Sequence, residues 1–211
     1  MKSIEKAGRF LNQQETRAFI KQMLVAENLA GRRVLALVPD RTRTMPMGMI
    51  SECLIETIEK IGARLDFMVA LGTHPPLDDT ELSLLFGIPV LHGQIGNCKV
   101  YNHAWDSPGM LKNIGDITAP EMTRLTGGRI STELKIQISR RIFEYDHLLI
   151  CGPVFPHEVV GFSGGNKYLF PGVSGPDVIN LTHWLGALLT SYQVIGSGYT
   201  PVREVNPKSW T

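Results

Sequence analysis

Four short apolar runs constrain this chain more than any other feature, because each breaks off in a polar loop containing glycine, proline or histidine. They are RRVLALVPD (Arg32 to Asp40), RLDFMVALGTH (Arg64 to His74), NCKVYNHAWD (Asn97 to Asp106) and HLLICGPVFPH (His147 to His157). Apolar runs of this length, bounded by turn residues, read as buried strands. Around them the apolar spacing switches to a helical period. QETRAFIKQMLVAENLAG sets Phe19, Met23 and Leu24 at helical spacing and predicts a helix that stops at Gly31, while MGMISECLIETIEKIGA and TELSLLFGI predict two more. Strands alternating with helices predict an α/β fold with a mainly parallel sheet flanked by helices. In open sheets of this kind ligands sit outside the carboxyl ends of the strands. A site is therefore expected where PDRTR, GTHPP, NHAWD and GPVFPHEVVGFSGGNK follow the apolar runs.

At 211 residues, 43% of them hydrophobic, the chain can build a core, and no repeat, low-complexity tract or charge run divides it. One α/β domain over residues 1–211 is expected. Lys and Arg number 21 against 20 Asp and Glu, with no basic cluster longer than Arg32-Arg33 and Arg140-Arg141, which argues against nucleic acid as a partner. No uncharged apolar run approaches the roughly 20 residues that cross a bilayer, and the N-terminal MKSIEKAGRFLNQQETRAF has no signal-peptide core. No membrane association and a cytoplasmic location are expected. Cys53, Cys98 and Cys151 are odd in number and widely spaced, so they read as reduced, mostly buried thiols rather than a disulfide framework or zinc knuckle.

The densest stretch is GFSGGNKYLFPGVSGPDVINLTHW, Gly161 to Trp184, which crowds glycines around Lys167 and later places His183. A phosphate-binding P-loop does not fit, since Asn166 stands where the second glycine is required and Tyr168 where the magnesium-binding hydroxyl is required. Pro171 also forbids an unbroken helix after Lys167. HEVVG at His157 begins like a zinc-protease helix, but Gly161 replaces the second histidine. Histidines remain the strongest chemical signal. His92 and His147 read as structural or solvated, whereas His74, His103, His157 and His183 are assigned to the suspected loops. Imidazole titrates near 6.5, so two of these on opposite sides of a substrate suit proton removal and return, and a metal would take a neutral ring nitrogen. Spacing alone does not allot the roles.

PDRTR (Pro39 to Arg43), GTHPP (Gly72 to Pro76), NHAWD (Asn102 to Asp106), PHEVVGFSGGNKYLFPG (Pro156 to Gly172) and Thr182-His183 together, in this order, resemble the N-terminal domain of the nickel-pincer lactate racemases. The resemblance implies that Lys167 carries, through a thioamide bond, a pyridinium mononucleotide pincer whose nickel is held by carbon, two sulfurs and His183. It implies His74 and His157 as the two acid–base residues and Arg43 as the arginine that orients the substrate. Asp40, Thr42, Ser163, Gly164 and Gly165 fall to cofactor binding, Asp40 at the ribose. Glycines without Cβ atoms, Gly161 among them, let backbone amides approach a ring and a phosphate. The loop of His103 and Asp106 is expected to line the site, by direct contact or by hydrogen bonding from behind.

The implied activity is racemisation or epimerisation of a small 2-hydroxy acid, lactate or a larger hydroxy or sugar acid; the alternative is a non-catalytic module that binds a mononucleotide. Two departures from the family pattern bear on this. Thr44 follows Arg43 where the family has proline, and Pro75 follows His74 where it has arginine, which removes a charge-assisted donor for a lactate-like carboxylate. Family members are also longer, with a C-terminal domain that closes over the site. Such a domain, or a partner subunit replacing it, is expected to complete the protein, and exposed apolar surface is expected where it docks.

Overall fold

The computed structural model describes residues 3–189 and 191–205. The last residues of TPVREVNPKSWT, with which the domain was expected to end, lie outside these. Helix α1 (Gln13–Val25) starts at a capping box in which Asn12 accepts the Glu15 N–H at 2.9 Å and Glu15 accepts the Asn12 N–H at 3.1 Å. It stops at Val25, short of the expected Gly31. The chain leaves the helix after Ala26 so that Leu29 enters the core, and Gly31, at φ +73°, donates its N–H to the Gly62 carbonyl at 3.0 Å.

Strand β1 (Arg33–Val38), helix α2 (Met47–Ile61), strand β2 (Arg64–Val69) and helix α3 (Asp79–Phe86) follow as predicted. Helix α2 ends on Gly62 and α3 on Gly87, both in the left-handed conformation that glycine adopts without strain. A short strand β3 (Gln94–Ile95) turns into β4 (Cys98–Asn102). Next come β5 (Leu111–Ile117), helix α4 (Ala119–Leu125) and β6 (Leu134–Ser139), then β7 (His147–Ile150) and a small hairpin of β8 (Pro156–His157) and β9 (Gly161–Phe162). Helices α5 (Pro176–Leu188), α6 (Ser191–Val194) and α7 (Pro201–Val205) close the described chain.

The central sheet has the order β3-β4-β2-β1-β7, with β4, β2, β1 and β7 parallel and β3 antiparallel at the edge. Both faces of β1 are covered, which is why its sequence is an unbroken apolar run. Val34, Ala36 and Val38 pack with Leu24, Leu54, Ile58 and Phe86 from α1, α2 and α3. Leu35 and Leu37 face the opposite cluster, built by Met122 of α4, Ile136 and Ile138 of β6, and Val178 and Leu185 of α5. The chain lays down β1, β2 and β4 in one direction, then returns to add β7 on the other side of β1. That reversal opens a crevice at the carboxyl ends of β1 and β7, the position at which such sheets bind ligands.

Candidate functional site

The crevice is a cleft of about 200 Å³ built from the loops after β1, β2 and β7, the β8–β9 hairpin, the following glycine turn and one face of α5. After β1, the Asp40 carboxylate accepts the Thr42 N–H at 3.0 Å and its hydroxyl at 2.5 Å through one oxygen, while the other oxygen faces Nδ1 of His74. After β2, the His74 N–H closes a turn onto the Leu71 carbonyl at 3.0 Å, and the Gly72 N–H reaches the Gly172 carbonyl at 3.0 Å, tying this loop to the chain behind Lys167. Burial is the largest influence on Asp40 and pushes its pKa up, but the hydrogen bonds from Thr42 and His74 outweigh it and hold the carboxyl below its ordinary value.

Across the cleft His157 is buried in the β8–β9 hairpin, and the Val159 N–H donates to its Nδ1 at 3.1 Å. Burial first, and the positive charge of Lys167 second, push the His157 imidazole down to about 4, so it is neutral at pH 7. The partners assign the two ring tautomers. In His74, Nδ1 carries the proton toward Asp40 and Nε2 keeps a lone pair. In His157 the reverse holds, with Nδ1 accepting and Nε2–H free to donate.

The hairpin runs into a turn where Gly164 sits at φ +80°; a Cβ there would lie 2.6 Å from Val154 Cγ2, so only glycine fits. A short 3-10 turn, Gly165–Tyr168, then presents Lys167 to the cleft, and the Phe170-Pro171 peptide that follows is cis. Burial, with Arg43 adding to it, lowers the Lys167 pKa below that of an ordinary lysine. Glu158 opposes these cations. Its own backbone amide holds it below the usual carboxylate range, helped by His157, Arg43 and Lys167.

His183 lies on α5 and not in a loop as expected. Gly175 and Pro176 start a helix that carries it, because the apolar residues Val178, Ile179 and Leu185 continue at helical spacing into the core. Its Nδ1 bonds the Ile179 carbonyl at 2.7 Å, which leaves Nε2 with a free lone pair on the side lining the cleft. Metal-binding histidines are commonly oriented in this way. Among the described residues no three His, Cys, Asp or Glu side chains are grouped to hold a metal ion.

The cleft thus brings together Asp40, Thr42, Arg43, His74, His157, Ser163, Gly164, Lys167 and His183. Gly165 is exposed and does not line it. The Ser163 hydroxyl is committed internally, accepting the Phe155 N–H at 2.8 Å and donating to the Pro153 carbonyl at 3.1 Å. His103 and Asp106 do not line the cleft either. His103 is buried behind it, hydrogen-bonded through Nε2 to the Ser174 carbonyl at 2.8 Å. Residues the sequence reading passed over are Glu158 and Tyr168 of the cleft wall and Gly152, whose missing Cβ makes room for the Tyr168 phenol. Glu158 and Tyr168 entered that reading only inside motifs, with no role of their own assigned. The cysteines match expectation: Cys53 and Cys98 are buried, Cys151 partly so, and all three are free. No helix among the described residues is long and apolar enough to cross a membrane.

Residues 17–196 match the protein family described as the lactate racemase N-terminal domain. The chain is 25% identical over 152 residues to a lactate racemase of Lactiplantibacillus plantarum and 24% identical over 178 residues to one of Thermoanaerobacterium thermosaccharolyticum. Those segments cover 71% and 83% of this chain but only 32% and 37% of the two relatives, so the match spans about a third of their length. Among solved structures, a Thermotoga maritima protein superimposes with a TM-score of 0.83 at 25% identity, covering 93% of this chain and 46% of that one. The lactate racemase apoprotein of Thermoanaerobacterium thermosaccharolyticum shares the fold, with a TM-score of 0.57 at 24% identity over 72% of this chain and 33% of the other.

Proposed function

The chain belongs to the lactate racemase N-terminal domain family, and on that premise we propose that it is the cofactor-bearing part of a racemase or epimerase acting on a small 2-hydroxy acid. The observation that carries this reading is the convergence of His74, His157, Arg43, Lys167 and His183 on one cleft. Five separate segments supply these side chains, and a merely structural cluster has no reason to gather them.

The residues fit a covalently held nickel-pincer nucleotide. Lys167, with its pKa lowered by burial, offers an amine more readily deprotonated than a surface lysine. Gly164, whose positive φ admits no side chain, turns the backbone so that Lys167 follows into the cleft. His183 offers Nε2 to a metal, and since no three metal-ligating side chains are grouped among the described residues, most of the remaining ligands would come from the bound group. When bound, that group supplies the acceptor and donor of hydride. The chain's own residues handle protons and orientation. His74 takes the substrate hydroxyl proton at Nε2, and Asp40 stabilises the imidazolium that forms, as carboxylate–histidine pairs do elsewhere. His157, neutral at pH 7, donates a hydrogen bond from Nε2–H to the substrate oxygen on the opposite face, and the protonated His74 is the group that returns the proton. Arg43 orients the carboxylate or hydroxyls of the substrate with its planar fork. A C-terminal domain or partner subunit completes the enclosure; exposed Val154, Phe155 and Trp184 on the segments around the cleft are the apolar surface it would cover.

The test is co-production with enzymes that make the pincer, followed by mass spectrometry of the Lys167 peptide and nickel analysis on the same sample. A mass adduct on Lys167 with near-stoichiometric nickel is expected, lost in Lys167→Ala; His183→Ala should keep the adduct and lose the nickel. An adduct that persists in Lys167→Ala defeats the reading. Turnover of a 2-hydroxy acid by the loaded chain separates the enzyme from a module that only holds the nucleotide.

A further inference from the structure

The chain after α5 reaches back and takes hold of the hairpin that carries His157. Arg203, on α7, donates Nε–H to the Val160 carbonyl at 2.8 Å and Nη2–H to the Phe162 carbonyl at 3.0 Å. The carbonyl between them, of Gly161, accepts the Gly196 N–H at 2.9 Å. Three consecutive carbonyls of one short hairpin are thereby bound by a single later segment. The approach is close enough to dictate sequence: a Cβ on Gly161, at φ +84°, would lie 2.0 Å from the Ser197 carbonyl oxygen. On its other side the hairpin rests on α5, where a Cβ on Gly186 would meet Val159 Cγ1 at 2.9 Å.

Hairpins of two short strands are marginal by themselves, and β8 and β9 pair only through Pro156 with Phe162 and His157 with Gly161. The Val159 N–H that fixes the His157 ring depends on the turn between those strands keeping its shape. An arginine fork spans two carbonyls with a rigidity that a single flexible amine does not reproduce. We propose that Arg203 is a positioning residue: by gripping the Val160 and Phe162 carbonyls it holds the Val159 amide against His157 Nδ1 and so fixes the ring with Nε2–H facing the cleft. This rests on His157 being the hydrogen-bond donor of the function proposed above, but its test does not use that function. Arg203 lies beyond the segment that matches the family, residues 17–196, so the grip is a feature of this chain read from its own geometry.

The experiment is nitrogen-15 NMR of the histidine rings in the full 211-residue chain near pH 7, with His157→Gln to identify the His157 signals. In the unaltered protein His157 should show one unprotonated Nδ1 and one protonated Nε2. In Arg203→Ala the two signals should move toward a common average as the tautomers mix, and added methylguanidinium at a non-denaturing concentration should separate them again. A folded Arg203→Ala protein with the wild-type ring signature overturns the proposal, because a residue that only adds stability leaves the tautomer alone. Should Arg203→Ala fail to fold, Arg203→Lys, which has a single donor nitrogen in place of the two-nitrogen fork, serves in its place: partial averaging supports the grip and an unchanged ring overturns it. Absence of turnover by the loaded enzyme would count against the proposed function and would leave this ring signature as it is.

Discussion

Replacing Asp40 by Asn changes one atom and should reverse the proton arrangement of His74. The Asn side-chain oxygen can still accept both Thr42 bonds, but its other end becomes an NH2 that donates toward His74 Nδ1. The ring must then accept at Nδ1 and carry its proton on Nε2, which removes the lone pair that would take a substrate proton. A hydrogen bond to a charged group contributes about 1.5–3 kcal/mol when buried. Here the Asp40 side chain is 9% exposed but His74 is 54% exposed, so solvent screening reduces the loss to about 1 kcal/mol. For a chain of 211 residues that corresponds to a fall in Tm of about 2–4 °C. The pH dependence has a definite sign. Because the folded pKa of Asp40 lies below its unfolded value, its contribution is present above about pH 4 and is lost as pH falls through the folded pKa. Wild type and Asp40→Asn should therefore differ in Tm at pH 7 and converge in acid. In the cofactor-loaded protein the misplaced proton should lower kcat by about 10²–10⁴, the usual contribution of a general base. Ring nitrogen NMR of His74 and thermal melts between pH 2 and 7 provide the assay. A His74 that keeps Nδ1–H in the variant, or a Tm difference that persists at low pH, would refute the reasoning.

Three further outcomes follow from the same geometry. His157 binds its proton near 6.5 when unfolded and about 4 when folded, so wild-type stability should climb between those values by on the order of 3 kcal/mol as pH rises; His157→Gln should flatten that climb in urea titrations, and parallel curves would contradict the burial argument. Gly152→Ala would put a Cβ 1.7 Å from the Tyr168 hydroxyl oxygen and should destabilise the fold by about 1–3 kcal/mol, with Tyr168→Leu in the same chain restoring part of the loss; an unperturbed melting temperature for the single variant would show that the phenol has room to move. Lys167, depressed by burial and by Arg43, should react with an amine-directed reagent at lower pH than the surface lysines, a preference read by peptide mapping and lost if its pKa is ordinary.

The sequence by itself determined the strand and helix alternation, and with it the parallel sheet and the end of the sheet where the site lies. Those features are local: an apolar run such as Val34 to Val38 or a glycine stop such as Gly62 follows from periods of a few residues and from steric rules for single residues. The residues of PDRTR, GTHPP and PHEVVGFSGGNK were legible for the same reason, since each sits directly after or near a strand whose end could be read. The antiparallel β5–β6 pair was not legible. Its outer positions Lys112, Asn113 and Lys135 are polar, a bulge between Asn113 and Gly115 breaks the alternation, and only pairing with a distant partner makes either segment a strand. His183 was assigned to a loop although Pro176 and the helical spacing of Val178, Ile179 and Leu185 were readable, because the glycine- and proline-rich stretch before them read as one continuous loop. His103 was drawn into the site by its neighbours in the chain, yet its ring turns inward to Ser174, a residue far along the sequence. Tertiary structure alone decided which protons the two site histidines hold and which segment grips the His157 hairpin. The His74 proton and the grip depend on hydrogen bonds, Asp40 with His74 and Arg203 with Val160 and Phe162, whose partners lie dozens of residues apart, and the His157 proton depends on a Val159 amide that only the folded hairpin brings to its ring.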